Sequence, residues 1–584
     1  MYKITVTPII ACVLMGLLVA YAEAAKIEEL APANSLIYII ISDLDEIWDE
    51  GAASESWQAM FKSGETDGSL SEVEQAMEVM RFTIGTDARG IVETFGRQIA
   101  FVIMQPESGK REISMALILD TGGSRKEAED IISKVSAVIT MNSEKTSANP
   151  NAGKYKKISY GKVTLGKRIF RYGFIDDLLV IGLTGGGFKT VVDAYRKGTT
   201  SINHNSKFKD MRKRFANVQL FGYADIDNVL PILKANEQTL QPKALKFNLE
   251  PSTLQSVDAI GFGMDIFPVD GLQKLYIQMK GNKTSERRLS SSERAYRNQA
   301  DGWHVNSIFR EGKNLNSLLS LRSLGKPDTS DVFFAMSSDN LNDLWKSLFD
   351  NNDFHREIQK LEDMSGLDFE TEILSSLTGE IVMSAKVSDE IPAGTSASIS
   401  WKELVVFMGV KERGKWETTI DAIQKLTDTT ARSEYNYKGA TIRELSPPKN
   451  DLSRTFGYAL TDKSFIAATS TDRVQSIIDG TATMKKSRMA DSLFKGLPAP
   501  PSLFLRLNLD KLSPYMLNRA GVDLKAFRRI RNSFNVGACE YTVSPTSNGL
   551  WMCLRIISGK NLIDSLGEIA PVLAPLDIRN FNFR

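Results

Sequence analysis

The sequence predicts an α+β fold of repeated strand-helix-strand-strand-helix units, with antiparallel sheets, helices packed on one face, and the chain pseudo-duplicated into halves. Three observations point there: four copies of one strand-to-helix phrase, hairpin-forming strand pairs downstream of them, and a length beyond one core. At 584 residues the chain exceeds the ~250–300 residues at which single hydrophobic cores stop growing. Its 42% hydrophobic and 24% charged content are those of an ordinary globular protein. A formal net charge of +1 supplies no global field toward polyanions, so no nucleic-acid partner is expected.

The first element is an export signal. Lys3 lies in a short positive region, an apolar run extends from Ile9 to Tyr21, and Ala22-Glu23-Ala24 follows. Small residues three and one positions before a cut are what signal peptidase accepts, which places cleavage after Ala24. The competing reading is an uncleaved anchor, since Ile4 to Ala22 approaches the ~20 apolar residues that span a bilayer. Most of the apolar run follows Cys12 rather than preceding it, which argues against lipidation there. Export to the periplasm or cell surface is therefore expected.

The strand-to-helix phrase comes next. It reads Leu36-Ile-Tyr-Ile-Ile-Ile-Ser-Asp-Leu-Asp45, Leu220-Phe-Gly-Tyr-Ala-Asp-Ile-Asp227, Val332-Phe-Phe-Ala-Met-Ser-Ser-Asp339 and Leu503-Phe-Leu-Arg-Leu-Asn-Leu-Asp510. Asp43/Asp45 and Asp225/Asp227 look like paired carboxylates for acid–base work, which needs two groups of separated pKa. The repeat argues otherwise, because the first position becomes Ser337 and then Asn508. Asp, Asn and Ser share the ability to accept hydrogen bonds from backbone N–H groups at a helix start. Asp45, Asp227, Asp339 and Asp510 are accordingly assigned as helix N-caps. Gly85-Thr-Asp87, Gly366-Leu-Asp368 and Gly521-Val-Asp523 read as a positive-φ glycine followed by another cap.

Strand pairs are expected at Gln98–Met104 with Ile113–Leu119, Glu380–Ala385 with Glu403–Val410, and Ala259–Ile266 with Gln273–Met279. Helices are expected at Ser124–Val138 and Lys415–Leu426. An extension in the first and third copies aligns Tyr160-Gly-Lys-Val-Thr-Leu165 with Tyr437-Lys-Gly-Ala-Thr-Ile442, then Asp177–Ile181 with Asp462–Ile466, leading through Thr184 or Thr469 into a helix. The resulting division is a signal peptide over 1–24, a long unit over 25–205, a short unit over 206–280, a polar linker with helices over 281–324, a second long unit over 325–490, and a C-terminal short unit over 491–584.

Motifs that would carry chemistry are weak. Gly182-Leu-Thr-Gly-Gly-Gly-Phe-Lys189-Thr190 has the setting of a phosphate loop, but Phe188 separates the lysine from the last glycine. His204, His304 and His355 are scattered and show no zinc spacing. No cofactor and no metal is expected. Basic runs at Lys207–Arg214 and at Arg528-Arg529-Ile-Arg531 read as solvated helix faces or as contacts to head groups or an anionic glycan. Cys539 and Cys553 leave a bridge open: a five-residue loop over Ser544–Asn548 sets them face to face, whereas a two-residue turn at Asn548-Gly549 sets Cys539 opposite Ser558.

Leu30-Ala-Pro, Gly366-Leu-Asp with Leu377-Thr-Gly-Glu-Ile381, Tyr437-Lys-Gly-Ala-Thr-Ile, and Phe465-Ile-Ala-Ala-Thr-Ser through Ile478-Asp-Gly480 together resemble the bacterial exported family catalogued as domain of unknown function thirty-three fifty-two. The resemblance implies export and a repeated α+β build. It implies no activity, ligand or catalytic residue. Three functions compete: a non-catalytic envelope protein acting as a binding or scaffold module for an envelope protein or glycan, a periplasmic or surface hydrolase with its site between the halves, and a membrane-associated accessory factor held by Lys207–Arg214 or an uncleaved N-terminus.

Overall fold

A computed structural model describes residues 24–53, 81–105, 113–141, 146–184, 186–197, 201–235, 256–266, 271–280, 315, 327–338, 341, 352–388, 401–426, 429–445, 456–482, 494–512 and 537–557. The signal segment with Cys12, most of the 281–324 linker, Asp339, His304, the phrase Gly521-Val-Asp523 and the basic run at Arg528–Arg531 lie outside the described residues. The chain is mixed helix and strand, with antiparallel pairing throughout both of its compact units. One unit is Met1–Gln278 with Lys560–Arg584, the other Met279–Gly559.

The first unit contains β1 (Ser35–Ser42), β2 (Gln98–Met104), β3 (Ser114–Asp120), β4 (Thr146–Tyr155), β5 (Ile158–Leu165), β6 (Arg168–Ile175), β7 (Leu178–Gly182), β8 (Leu220–Asp225), β9 (Val257–Met264) and β10 (Leu272–Met279). Their pairings give the order β4-β5-β6-β7-β3-β2-β1-β8-β9-β10. Its helices among the described residues are α1 (Ala24–Leu30), α2 (Leu44–Ala53), α3 (Ala88–Phe95), α4 (Arg125–Met141), α5 (Gly187–Lys197), α6 (Ser206–Arg214) and α7 (Ile226–Ala235).

The second unit contains β11 (Val332–Ser337), β12 (Leu377–Val387), β13 (Trp401–Val410), β14 (Ala431–Tyr437), β15 (Ala440–Leu445), β16 (Phe456–Leu460), β17 (Ser464–Ala468), β18 (Leu503–Asn508), β19 (Ala538–Thr546) and β20 (Gly549–Ile557). They are ordered β14-β15-β16-β17-β13-β12-β11-β18-β19-β20. Its helices include α8 (Asn352–Ser365), α9 (Arg413–Leu426) and α10 (Thr471–Ala482).

Helices cover both faces of each sheet, not the one face expected. Ala128 and Ile131 of α4 pack on Ile99, Leu119 and Leu179, with Phe174 beside them. Gly173, the neighbour of Phe174, lies instead under Phe188 of α5. Successive strand residues point to opposite faces, so α4 and α5 lie on opposite sides. In the second unit Trp416 and Ile420 of α9 pack with Phe465 and Ala467, while Val474 and Ile477 of α10 pack with Ile466 and Ala468.

The extension also aligns differently from expectation. Tyr437 ends β14, and Lys438 and Gly439 form its turn with φ of 49° and 84°. The matching turn is Lys156-Lys157, with φ of 47° and 70° after Tyr155, two positive values that suit a tight hairpin. Tyr160 sits inside β5. Tyr155, not Tyr160, thus holds the place before the turn that Tyr437 holds in the second unit.

The cysteine register, left open by the sequence, is decided, and the glycine run is the tight turn that the intervening Phe188 implies. β19 and β20 turn at Ser547-Asn548, pairing Cys539 with Ile556 and Thr542 with Cys553. The cysteines are thus an odd number of places out of register, face opposite sides, and both are free thiols. The glycine run before α5 is a packing turn: a Cβ on Gly187 would strike the Met115 carbonyl, and one on Gly182 the backbone of Phe188. Lys189 lies over the Tyr155 ring, 5.3 Å from its centroid. Among the described residues, no helix is long and apolar enough to cross a membrane.

Candidate functional site

Two of the strand-to-helix phrases place a cap at the last residue of the strand. The Asp225 carboxylate accepts from Asn228 N at 3.4 Å, and Asn508 Oδ1 accepts from Lys511 N at 3.3 Å. Asp227 and Asp45 lie within the first turns of α7 and α2, and Asp510 lies in the helical turn that follows Asn508. The caps expected at Asp227 and Asp510 belong to the first polar position instead, because the strand ends there and the helix starts at once. Asp43 has φ of 67°, and its Oδ1 is buried without a hydrogen-bond partner. Burial first, then the Glu46 charge, raises its pKa. Asp87 and Asp368 do cap, accepting from Gly90 N at 3.0 Å and Thr371 N at 2.7 Å.

Asp225 and Asp227 are nevertheless drawn into one cluster with Lys207. The Lys207 ammonium lies 2.7 Å from Asp227, 2.6 Å from Asp258 and 3.7 Å from Asp225. Asp225 is only 3% exposed at its side chain and accepts from Asn228 Nδ2 at 2.9 Å. α6 delivers the lysine because its apolar face is fixed below. Phe208 stands edge-on to Tyr38 and Tyr223, each at 5.3 Å. Met211 and Phe215 fill the space left by Gly261 and Gly263 in β9. Burial pulls the Lys207 pKa down, and the bonds to Asp227 and Asp258 with the Asp225 charge outweigh it, holding the ammonium well above the ordinary lysine range. Tyr223 beneath it is raised by burial and by Asp225 and Asp258. An amine so held is protonated at neutral pH and is not a nucleophile. It also occupies the point where the three carboxylates converge.

The basic run is further consumed at Arg212. Its Nε lies 3.1 Å from the buried carboxylate of Glu28 in α1, whose pKa burial raises against the opposing pull of Arg212. Its guanidinium also covers the Phe221 ring at 5.1 Å. Of the run's cations, Lys209, Lys213 and Arg214 remain exposed. His204 meets Ser201 through Nδ1 at 3.1 Å.

A small polar pocket lies in the second unit, lined by Arg413, Glu417, Ile420, Thr441, Arg443, Tyr458 and Leu460. Arg413 opens α9, binding Glu417 at 3.0 Å and Asp462 at 3.2 Å. Arg443 on β15 binds Glu434 at 2.7 Å and donates through Nη1 to the Tyr458 hydroxyl at 3.1 Å. Gln424 donates to the same hydroxyl at 3.0 Å. The first unit holds a related set: Arg125 opens α4, binds Glu129 at 2.9 Å, and Tyr172 shares a 3.3 Å bond with Ser136. There Arg125 is covered by the Phe174 ring at 5.1 Å.

Nothing in the sequence pattern singled out this pocket, because its residues come from one helix and two strands. No family model matches the chain, and no curated protein does. Among solved structures, crystal form IV of TP0453 is similar at 8% identity with a TM-score of 0.23, over 43% of this chain and 79% of that one. Crystal form I matches at 10% identity and TM-score 0.23, over 49% and 87%. Such scores are too low to mark a shared fold.

Proposed function

We propose that the protein is a non-catalytic envelope protein acting as a binding or scaffold module, exported and built from two duplicated α+β units as its resemblance to an uncharacterised exported family implies. The observation that carries this reading is that ten strands in each unit pair in the same order. The correspondence extends to side chains. Tyr155 and Lys156 grip Asp193 of α5 at 3.1 and 2.5 Å, and Tyr437 and Lys438 grip Asp479 of α10 at 3.0 and 2.8 Å. Duplicated units extend the surface available to a partner. The first polar clusters to suggest chemistry are consumed internally: Lys207 by three aspartates and Arg212 by Glu28.

The test is purification from the envelope fraction, followed by mass measurement under native and then denaturing conditions. A co-purifying mass that leaves on denaturation supports a binding role, and a chain beginning at Ala25 supports export with cleavage. Recovery from the cytoplasm, or a defined turnover abolished by substituting two or three residues, overturns the proposal.

A further inference from the structure

The polar pocket of the second unit differs from its counterpart in ways that share one chemical sense. With Arg125 and Arg413, Tyr172 and Tyr458 taken as equivalent, Phe174 corresponds to Leu460, Gly161 to Arg443 and Ser136 to Gln424. Each position follows from the strand registers and from the first residues of α4 and α9. In the first unit the Phe174 ring closes over the arginine, and a Cβ on Gly161 would strike the Tyr172 ring. In the second unit no aromatic ring stands over Arg413 among the described residues, though its side chain is 38% exposed against 45% for Arg125, and a second guanidinium enters from β15.

The hydrogen bonds left over define what fits. Tyr458 is 4% exposed, and its oxygen accepts from both Gln424 and Arg443. With the Gln424 amide nitrogen turned toward it, its own proton has no acceptor among the described residues, whereas Tyr172 faces a serine hydroxyl that accepts as readily as it donates. A buried donor left without an acceptor costs ~1–3 kcal/mol, so an acceptor oxygen from outside is favoured here. Arg413 and Arg443 each use Nε and Nη1, leaving Nη2 as a further donor. Glu417 uses one oxygen and keeps the other as an acceptor. A simple anion is disfavoured, because Glu417, Glu434 and Asp462 already outnumber the two guanidiniums. Neighbouring hydroxyls, each both donor and acceptor, satisfy donors and carboxylate together without adding charge.

We propose that this pocket binds adjacent hydroxyls at the edge of a neutral sugar residue in a glycan. The inference deepens the binding role above and rests on the duplication that sets Leu460 against Phe174.

Isothermal titration calorimetry on the full chain, with neutral tetrasaccharides of glucose, mannose and N-acetylglucosamine and an anionic galacturonic acid tetramer, tests it. At least one neutral tetrasaccharide is expected to bind. Arg443→Met and Leu460→Phe are each expected to weaken binding by about tenfold, the equivalent of one charged hydrogen bond. Leu460→Phe restores the closure seen in the first unit and is expected to keep the Tm. If it instead unfolds the chain, the equivalence of the units is wrong, and Arg443→Met alone decides the pocket. The proposal is overturned if no neutral tetrasaccharide binds, if both variants bind as the parent does, or if the anionic tetramer is preferred. A non-sugar partner recovered from the envelope alongside any of these results would leave the scaffold reading intact while removing the sugar.

Discussion

Lys207→Met removes one charge and keeps nearly the same length of side chain, so it tests what the lysine does among Asp225, Asp227 and Asp258. Each close contact, at 2.6 to 2.7 Å, carries a gross attraction of ~6 kcal/mol at an effective dielectric of 20. Most of that is offset by dehydration of the ions. Breaking a buried pair costs ~3–5 kcal/mol because the remaining charge is stranded. Asp227, 40% exposed, is rehydrated and adds at most ~1 kcal/mol. Asp225 and Asp258, 3% and 17% exposed, are stranded. The expected loss is therefore about 3 kcal/mol. Urea unfolding at pH 7, followed by fluorescence, would show it as a midpoint lowered by about 1 M at a slope near 3 kcal/mol per M. The pH dependence gives a sharper test. In the parent the raised lysine pKa contributes stability that is complete below the unfolded value of ~10.4 and fades as pH climbs through the folded value. The variant lacks this contribution, so the gap between the two should hold at neutral pH and close as pH climbs through the folded lysine value. A loss below about 1 kcal/mol, or a gap that ignores pH, would refute the clustered-charge argument.

Other consequences are open to direct measurement. Gly263→Ala sets a methyl group against the Phe215 ring and should destabilise the chain by ~1–3 kcal/mol in thermal unfolding. The same change at exposed, uncrowded Gly414 should stabilise its helix by under ~1 kcal/mol. Denatured but unreduced protein should take up thiol label at both Cys539 and Cys553. In the native chain Cys539 should react slowly at neutral pH, since burial and then Glu540 raise its pKa. Asp479→Asn should speed amide exchange in the β14–β15 turn. In the parent, protection there should persist as pH falls until the lowered folded pKa of Asp479, set mainly by Lys438, is reached, after which it should fade.

What the residues declared in advance, and what they hid, follows from the range of each interaction. Caps and turns are local. Asp87 and Asp368 behave as their Gly-x-Asp phrases predict, and both preceding glycines hold positive φ, 76° and 67°. In Asp225-Ile-Asp227 both aspartates possess capping chemistry, and the choice falls to Asp225, which coincides with the end of the strand ladder. That end is set by the partner strand, so sequence placed this cap two residues late. The Lys207 cluster was concealed for a related reason: its carboxylates sit on strand ends and a helix distant along the chain, and the run Lys207–Arg214 taken alone shows only charge. The covering of both sheet faces was written more plainly. Leu178-Leu-Val-Ile181 and Met115-Ala-Leu-Ile-Leu119 are unbroken apolar runs, and strands covered on both faces read that way. A strand with one wet face alternates instead. The edge strand β14, Ala-Arg-Ser-Glu-Tyr-Asn-Tyr, has mostly exposed side chains and pairs among the described residues only with β15. Apolar continuity therefore falls from the centre of the order toward its β14 edge, and that gradient reports which strands the helices enclose.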